Sequence, residues 1–182
     1  MKISSLPTLS TLVILAGATL SLPLQAEPPR YGVQGLVSLP LGDLKTYLDN
    51  NLGIGLGIQG TFDLGSGHML RPRLDYSFYQ QAYMATAKQS ASYFSLGGDY
   101  LYFITGQPEG LYVTAGLSVM RWSFQHQDPG TNLPNGTTKS GAAAGLGYQW
   151  DYNIGAEVRW LHSSISDRFR ADSLQAAVTF RF

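Results

Sequence analysis

The chain has 182 residues, no cysteine, and twelve basic residues against twelve acidic ones. The lack of cysteine excludes disulfides, thiolate metal sites, cysteine nucleophiles and a lipidated cysteine, and the zero formal net charge gives no indication of a nucleic-acid partner. Only 13% of residues are charged, against roughly 25% in an ordinary soluble domain. The length favours one domain, and 21 glycines with 12% aromatic residues suit a barrel that meets lipid outside and packs tightly inside.

Residues 1–26 have the pattern of a secretory signal peptide. Lys2 supplies the positive start, an apolar stretch runs from Leu9 to Leu22, and Ala26 offers a small residue at a cleavage point. This stretch is shorter than the about 20 residues that a transmembrane helix needs. We therefore predict cleavage after Ala26 and a mature barrel domain over residues 27–182. An uncleaved anchor is the alternative, since Leu24 is not the ideal small residue before a cleavage site.

From residue 27 onwards, apolar residues alternate with small or polar ones at a period of two, and no amphipathic helix pattern persists. This alternation predicts eight strands. Their outward-facing residues are, in chain order, Tyr31, Val33, Val37 and Leu39; Leu52, Ile54, Leu56, Ile58, Gly60 and Phe62; Leu74, Tyr76 and Phe78; Phe94, Leu96, Tyr100 and Tyr102; Val113, Ala115, Leu117 and Val119; Ala142, Ala144, Leu146, Tyr148 and Trp150; Ile154, Ala156, Val158 and Trp160; and Leu174, Ala176, Val178, Phe180 and Phe182.

The connections between these strands alternate in length. Short turn-rich breaks fall at residues 65–68, 105–110 and 151–153, whereas longer and mostly polar segments fall at 41–51, 81–90, 125–139 and 163–172. An even number of strands with short turns on one side and long loops on the other is typical of outer-membrane barrels. The predicted fold is a closed eight-stranded antiparallel up-and-down transmembrane β-barrel, with both chain ends in the periplasm and the long loops outside the cell.

Because membrane lipid offers no hydrogen bonds, the sheet must close, and its lipid face must be apolar with aromatic residues at both interfaces. Running the strands alternately up and down places Phe78 and Trp160 at the outer rim. It places eight aromatic residues at the periplasmic rim, namely Tyr31, Phe62, Tyr100, Tyr102, Tyr148, Trp150, Phe180 and Phe182.

The opposite face carries charged residues that are predicted to point into the barrel. They are Arg71, Arg73, Asp75, Asp99, Glu157, Arg159 and Arg181. Since the lumen of an eight-stranded barrel is filled by side chains, these ions are expected to pair with one another. An ion-paired plug that stiffens the barrel is the preferred interpretation, and a narrow polar pore is the alternative.

Two features of the strands lead to specific predictions. Trp122 and Phe124 fall in inward parity if the preceding residues of their strand face lipid, which predicts either a bulge near Arg121 or a strand that extends above the membrane. Between the third and fourth strands, a register that sets Arg73 opposite Asp99 pairs the outward residues Phe78 with Phe94, Tyr76 with Leu96, and Leu74 with Gly98. A shift of two residues would keep the faces and set Asp99 opposite Arg71 or Asp75.

The terminal segment LQAAVTFRF, which ends in Phe180 and Phe182, and the segment GAEVRW over residues 155–160 resemble the small outer-membrane barrel family that includes the membrane domain of outer membrane protein A and its OmpX-like relatives. The resemblance implies a location in the bacterial outer membrane, contact with its lipid and lipopolysaccharide, and reading of the terminal aromatic residues by the barrel-assembly machinery. It implies fold far more than activity, because the roles of family members include anchoring, adhesion, resistance to host defence and small pores.

Little in the sequence indicates chemistry. His68 lies in a predicted turn and His126 in a loop with Asp128, which is too little for a metal site. His162 and Ser164 resemble the His-x-Ser pair of the lipid A deacylases, in which a nearby acid completes the set. Asp167 or Asp172 could be that acid, but the two residues after Ser164 do not match the deacylase motif.

These observations predict a non-enzymatic surface protein without cofactor or metal, whose four long loops contact an external ligand. A narrow pore for ions or small solutes is the first alternative and a lipid A-modifying hydrolase is the lesser one. A soluble lipocalin-like binder would need an apolar interior and a polar exterior, the reverse of the predicted pattern.

Overall fold

The computed structural model describes residues 28–80, 82–84, 87–126 and 135–182. The predicted signal peptide, residues 1–26, and Asp128 therefore lie outside the described residues. In the described ranges, no helix has both the length and the apolar character needed to cross a membrane.

Almost all of the described chain is β-strand. The elements are β1 (Arg30–Leu41), α1 (Gly42–Tyr47), β2 (Gly53–Gly65), β3 (His68–Tyr79), β4 (Ala82–Met84), β5 (Ala87–Phe103), β6 (Gly110–His126), β7 (Gly136–Gln149), β8 (Ile154–Ser166) and β9 (Phe169–Arg181). Strands that follow one another along the chain pair antiparallel, except that β3 and β4 do not pair with each other and both pair with β5. β1 pairs with β9 and closes the sheet. Because β4 continues the position of β3 beside β5, the ring has eight members. The predicted closed eight-stranded up-and-down barrel is confirmed.

The predicted alternation of faces is also confirmed. Outward apolar side chains are exposed in every long strand, and Leu56 and Leu117, near the middle, are each 73% exposed. The aromatic residues predicted for the two rims are all exposed, from Tyr31 and Phe182 beside the chain ends to Phe78 and Trp160 at the other end. A period-two sequence thus produces an apolar belt with aromatic residues at both edges, as lipid contact requires.

The first outer connection contains a helix that the sequence analysis missed. Leu44, Tyr47 and Leu48 are buried, and their i, i+3, i+4 spacing places them on one face of α1. Asp43 in the first turn of α1 accepts a hydrogen bond from the backbone N–H of Arg170 over 2.9 Å. The prediction of a polar loop over residues 41–51 was wrong, because this segment folds inward over the barrel mouth.

The strands also run further into the other outer connections than predicted. β8 continues to Ser166 and β9 begins at Phe169. The segment predicted as a loop over 163–172 is therefore a hairpin with a two-residue turn. β5 and β6 have 17 residues each, about six more than the 9–11 residues that a tilted spanning strand needs. The outer ends of this strand pair, where β5 begins and β6 ends, therefore rise beyond the membrane.

The predicted register between the third and fourth strands was wrong by two residues. Leu74 pairs with Leu96 and Tyr76 with Phe94, so Asp99 lies opposite Arg71 rather than Arg73. The error keeps every side chain on its predicted face, since the period of a strand is two.

The expected bulge near Arg121 is absent from the described pairing of β6, which matches β5 residue for residue through this region. Trp122 and Phe124 keep their inward parity and are 0% and 1% exposed. The upper part of β6 is therefore regular, and its large aromatic side chains fill the lumen instead of facing lipid.

Candidate functional site

The middle of the lumen holds six charged side chains in a closed ring of alternating sign, called here the six-ion ring. Around the ring the N···O distances are 2.7 Å for Arg71–Asp99, 3.3 Å for Asp99–Arg73, 3.3 Å for Arg73–Asp75, 3.3 Å for Asp75–Arg159, 3.7 Å for Arg159–Glu157 and 2.7 Å for Glu157–Arg71. Each ion contacts two of opposite sign, all six are at most 5% exposed, and the ring has no net charge. This arrangement meets the requirement that buried ions be paired and hydrogen-bonded.

Neutral polar side chains add hydrogen bonds to the ring, in which Arg73 Nη1 and Arg159 Nη1 have no hydrogen-bond partner among the described residues. The Tyr112 hydroxyl donates to Glu157 Oε2 over 3.0 Å, and Gln34 Nε2 donates to Asp75 Oδ1. Arg159 Nε donates to Gln175 Oε1 over 2.7 Å, while Gln175 Nε2 donates to the Tyr93 hydroxyl over 2.6 Å. Gln175 thus links the ring to the layer above it, which fixes the side chains of both layers.

Small residues make room for the six-ion ring. A Cβ added at Gly116 would lie 1.9 Å from Asp99 Oδ1, and one at Gly57 would lie 2.2 Å from Asp75 Oδ1. Arg181, the seventh charge predicted for the lumen, is buried at 3% exposure but is not a member of the ring. The structure therefore places all seven predicted side chains inside the barrel and joins six of them.

Above the six-ion ring lies an apolar layer that the sequence analysis did not predict, called here the outer aromatic cluster. Trp122 lies 4.8 Å from Tyr93 and 5.7 Å from Phe124 between ring centroids, and Tyr47 of α1 meets Phe124 edge-on at 5.7 Å. The other buried members are Leu44, Leu48, Tyr79, Ala91, Met120, Leu161, Ile165 and Ala171. The signal for this layer was present, because Tyr79, Tyr93, Leu161 and Ile165 share inward parity with Trp122 at the outer strand ends.

Helix α1 is fixed to this layer by a polar contact as well as by packing. The Tyr47 hydroxyl donates to the backbone carbonyl of Gln125 over 3.0 Å, and burial raises the pKa of the Tyr47 phenol to about 12. The Tyr47 phenol is therefore neutral at neutral pH and can donate this hydrogen bond. The hydrogen bond and the packing together hold α1 over the outer mouth of the barrel.

A second, smaller apolar cluster lies at the periplasmic end of the lumen, where Thr61, Gln149, Thr179 and Arg181 are also buried. Met69, Leu101, Phe103 and Tyr112 are buried together there, with Phe103 and Tyr112 4.9 Å apart between ring centroids. From outside to inside, the described lumen thus runs through an apolar layer, an ion-paired layer and a mixed layer of apolar and polar side chains. Such filling with side chains is expected for eight strands.

The predicted pair His162 and Ser164 lies on the outward face near the outer end of β8. His162 Nδ1 lies 2.5 Å from Asp172 Oδ1, its cross-strand partner on β9, and the His162 ring stacks on Trp160 with centroids 5.5 Å apart. Of the two acids that the sequence left open, the structure brings Asp172 to the histidine. Ser164 Oγ donates to the Ser166 carbonyl over 3.5 Å, so it is not bonded to His162 here.

The remaining two histidines lie at the ends of strands. His68 begins β3 and its Nδ1 contacts the Tyr100 hydroxyl at the periplasmic end, while the backbone of His126 ends β6. Among the described residues, no group of three His, Asp or Glu side chains is arranged to hold a metal ion.

A closed antiparallel sheet with an apolar exterior, two aromatic rims and an ion-paired interior defines the class of small barrels that span the bacterial outer membrane. The chain belongs to the outer membrane protein beta-barrel domain family, whose model matches residues 9–182. Its location is accordingly the outer membrane, where its outward face contacts lipid.

Solved structures of this architecture are similar to the chain in fold. Ail, the attachment invasion locus protein of Yersinia pestis, has a TM-score of 0.60 at 12% identity, covering 85% of this chain and 97% of Ail. The N-terminal β-barrel domain of Pseudomonas aeruginosa OprF has a TM-score of 0.54 at 15% identity, covering 87% of this chain and all of that one. Neisserial surface protein A has a TM-score of 0.52 at 20% identity, with 86% and 99% covered.

No curated protein sequence matches this chain. The likeness to the solved structures, all at most 20% identical, shows the shared fold and not a shared ligand.

Proposed function

We propose that this protein is a non-conducting surface barrel that presents its outer end to an external partner, a role of binding at the cell surface. The sealed lumen carries this proposal. The outer aromatic cluster and α1 occupy the position that a pore would need, and the buried side chains of the six-ion ring are already paired with one another. The narrow pore that the sequence left open is therefore disfavoured.

The part of the molecule available to a partner is the outer rim. The outer ends of β5 and β6 rise beyond the membrane, and the connection over residues 127–135 joins β6 to β7 at this end. Binding functions commonly lie on such connections, which a rigid scaffold positions. The outer rim is thus the favoured contact surface, and the lipid-facing belt is occupied by membrane.

The chemistry of the outer rim favours a partner bound by neutral hydrogen bonds. The four outer segments, residues 41–51, 81–90, 125–139 and 163–172, together contain five acidic and five basic residues. Of the other 13 residues over 125–139, seven are asparagine, glutamine or threonine. Ail has been crystallised with the heparin analogue sucrose octasulfate, but the balanced charge here does not favour a polysulfated ligand, which would be expected to require a basic patch.

The test is binding of the purified barrel, reconstituted in phosphatidylethanolamine vesicles, to arrays of neutral glycans, extracellular matrix proteins and heparin. We expect binding to a neutral glycan or matrix protein that changes little between 50 and about 200 mM salt, because few ion pairs contribute. A variant with residues 127–134 replaced by a Gly-Ser segment of equal length should lose it. A control with Ser66→Asn in the periplasmic turn should retain it.

Binding to heparin alone with steep salt dependence, or no binding by folded protein, would contradict the proposed role.

We further propose that residues 1–26 are removed on export and that the assembly machinery reads Phe180 and Phe182. Phe182 is 72% exposed at the periplasmic rim, and its backbone N–H donates to the Tyr31 carbonyl over 2.9 Å. Its side chain is therefore open to a partner while its backbone is fixed. Replacing Phe182 by Ala should slow the appearance of the folded, heat-modifiable band in pulse-chase experiments, and an unchanged rate would contradict this assignment.

A further inference from the structure

A cluster of polar side chains interrupts the lipid-facing surface near the outer rim. His162 and Asp172 lie opposite each other on β8 and β9, and Ser164 lies opposite Arg170 one step nearer the turn. Residues two apart on a strand leave the same face, and directly opposite residues have Cβ atoms about 5 Å apart. All four side chains therefore leave the outward face as one group. His162 is 33% and Asp172 21% exposed, so both remain accessible from the membrane side.

We propose that this group is an esterase site in which Ser164 is the nucleophile, His162 the general base and Asp172 the residue that positions the histidine. This activity goes beyond the binding role proposed above and beyond the expectation of a non-enzymatic protein. The observation that carries it is the contact of His162 Nδ1 with Asp172 Oδ1 at 2.5 Å. A carboxylate that accepts from Nδ1–H fixes the tautomer in which Nε2 can accept a proton.

The local backbone supports a functional reading of Ser164. The β8–β9 pairing shifts register between Ser164 and Ser166, so Ile165 is an extra residue in β8. Bulges of this kind re-aim neighbouring side chains and are over-represented beside active sites. Ser164 Oγ makes a long contact of 3.5 Å with the Ser166 carbonyl. Since Ser164 and His162 are two apart on one strand and leave the same face, the proposal requires the hydroxyl to turn toward His162 in the reacting state.

The position of the group selects the substrate class, a fatty acyl ester of an outer-leaflet lipid. Trp160, which stacks on His162, belongs to the outer aromatic rim, where membrane hydrocarbon meets the polar headgroups. The ester bonds of membrane lipids lie at this boundary. The exposed guanidinium of Arg170, beside Ser164, is suited to a lipid phosphate or to the oxyanion of the reaction.

The reaction follows in two balanced steps. His162 Nε2 takes the proton of Ser164 Oγ as Oγ attacks the acyl carbonyl carbon, the bond to the lipid alcohol breaks, and the alcohol leaves with that proton. Water then attacks the acyl-Ser164 ester, with its proton passing to His162 and on to Ser164 Oγ as the fatty acid is released. Arg170 is placed to stabilise the oxygen that becomes negative in both steps.

The test uses full-length protein folded in vesicles, with folding checked by heat-modified gel mobility. One readout is covalent labelling by a fluorophosphonate reagent, located by mass spectrometry. The other is fatty-acid release from vesicles of phosphatidylethanolamine alone or with lipopolysaccharide, which distinguishes the two sources of acyl ester. We expect labelling at Ser164 and release from at least one vesicle type, both abolished by Ser164→Ala and retained by the matched control Ser166→Ala.

Asp172 is tested as a positioning residue by its conservative variants. Asp172→Asn should lower the release rate by about 100-fold or more with folding unchanged, since base catalysis of this kind contributes about 10²–10⁴-fold. Asp172→Glu should recover part of that loss. Folded wild-type protein that neither reacts with the reagent nor releases fatty acid, or equal labelling of wild type and Ser164→Ala, would overturn the proposal and leave His162–Asp172 as a structural pair. Neither result bears on binding at the outer rim.

Discussion

Asp99 shows how much a single side chain of the six-ion ring has to compensate. Its carboxylate accepts hydrogen bonds from Nε and Nη2 of Arg71 over 3.1 and 2.7 Å. The same carboxylate lies 3.3 Å from Nε of Arg73. Asp99→Ala leaves three arginines facing two carboxylates in a site screened from bulk water. We expect a loss of about 3–5 kcal/mol in the free energy of unfolding, measured by urea titration in lipid vesicles.

A double-mutant cycle then tests which arginine is the main partner. Because Arg71 makes the shorter, two-point contact, its coupling to Asp99 should exceed that of Arg73 and fall within about 0.5–3 kcal/mol. Strictly additive effects of Arg71→Ala and Asp99→Ala would contradict the observed register.

The glycine beside Asp99 offers a matched pair of substitutions. Gly116→Ala would place a Cβ 1.9 Å from Asp99 Oδ1 and 2.9 Å from the Gly98 carbonyl, whereas Gly98 has nothing within 4 Å of an added Cβ. We expect Gly116→Ala to destabilise the barrel by about 1–3 kcal/mol through overcrowding. Gly98→Ala should change stability by less than about 0.5 kcal/mol in the same urea titration. Equal effects of the two would show that the lumen tolerates added volume at Asp99.

For individual residues, the sequence predicted which face of the sheet each charged side chain takes, but not which ion it pairs with. Inward parity placed all seven charges in the lumen, because the period of two is a local property of the chain. Glu157 and Arg71, in contrast, are 86 positions apart and meet across the barrel at 2.7 Å. Only closure of the sheet brings them together, so their pairing has no local signal.

The strands were predictable as elements because two requirements act on each residue pair at once. Lipid demands an apolar outward side chain and the packed lumen favours a small or polar inward one, so every strand repeats the same pattern. Register was not determined by this pattern, because a shift of two residues between β3 and β5 keeps all faces. The sequence therefore gave no reason to prefer Arg73 over Arg71 as the partner of Asp99.

Helix α1 escaped prediction for a different reason. It has only six residues, and its buried members Leu44, Tyr47 and Leu48 acquire an apolar environment only from the aromatic residues of other strands. In isolation so short a segment is not a stable helix. The packing of Trp122 and Phe124 into the outer aromatic cluster had no local signal for the same reason. Their apolar partners lie on α1 and on other strands, which only the closed barrel brings together.

On the lipid-facing belt, the stability cost of a charged substitution should depend on its depth along the strand. Leu56 lies mid-strand in β2 and Leu64 near its periplasmic end, and their side chains are 73% and 45% exposed. Arginine costs about 2–4 kcal/mol at the midplane of a barrel and about 0–1 near an interface. Leu56→Arg should therefore destabilise the folded barrel far more than Leu64→Arg in urea unfolding from vesicles. Similar losses for both would place the membrane belt elsewhere.

For the whole molecule, closure and sealing are separate properties with separate causes. The sheet closes because lipid leaves no partner for a free strand edge, and this was predictable from eight alternating segments. The lumen is filled by the outer aromatic cluster, with α1 packed onto it, by the six-ion ring, and by apolar and polar side chains at the periplasmic end. This second property depends on contacts between distant strands, and the proposed non-conducting role rests on it.

Conductance of the refolded wild-type protein in planar bilayers tests this sealing most directly. In 1 M KCl we expect no channel openings above the bare-bilayer baseline from protein that shows the heat-modified mobility of the folded barrel, because side chains fill the lumen and the outer aromatic cluster and α1 cover its outer mouth. Steady openings that scale with the amount of folded protein inserted would contradict the account.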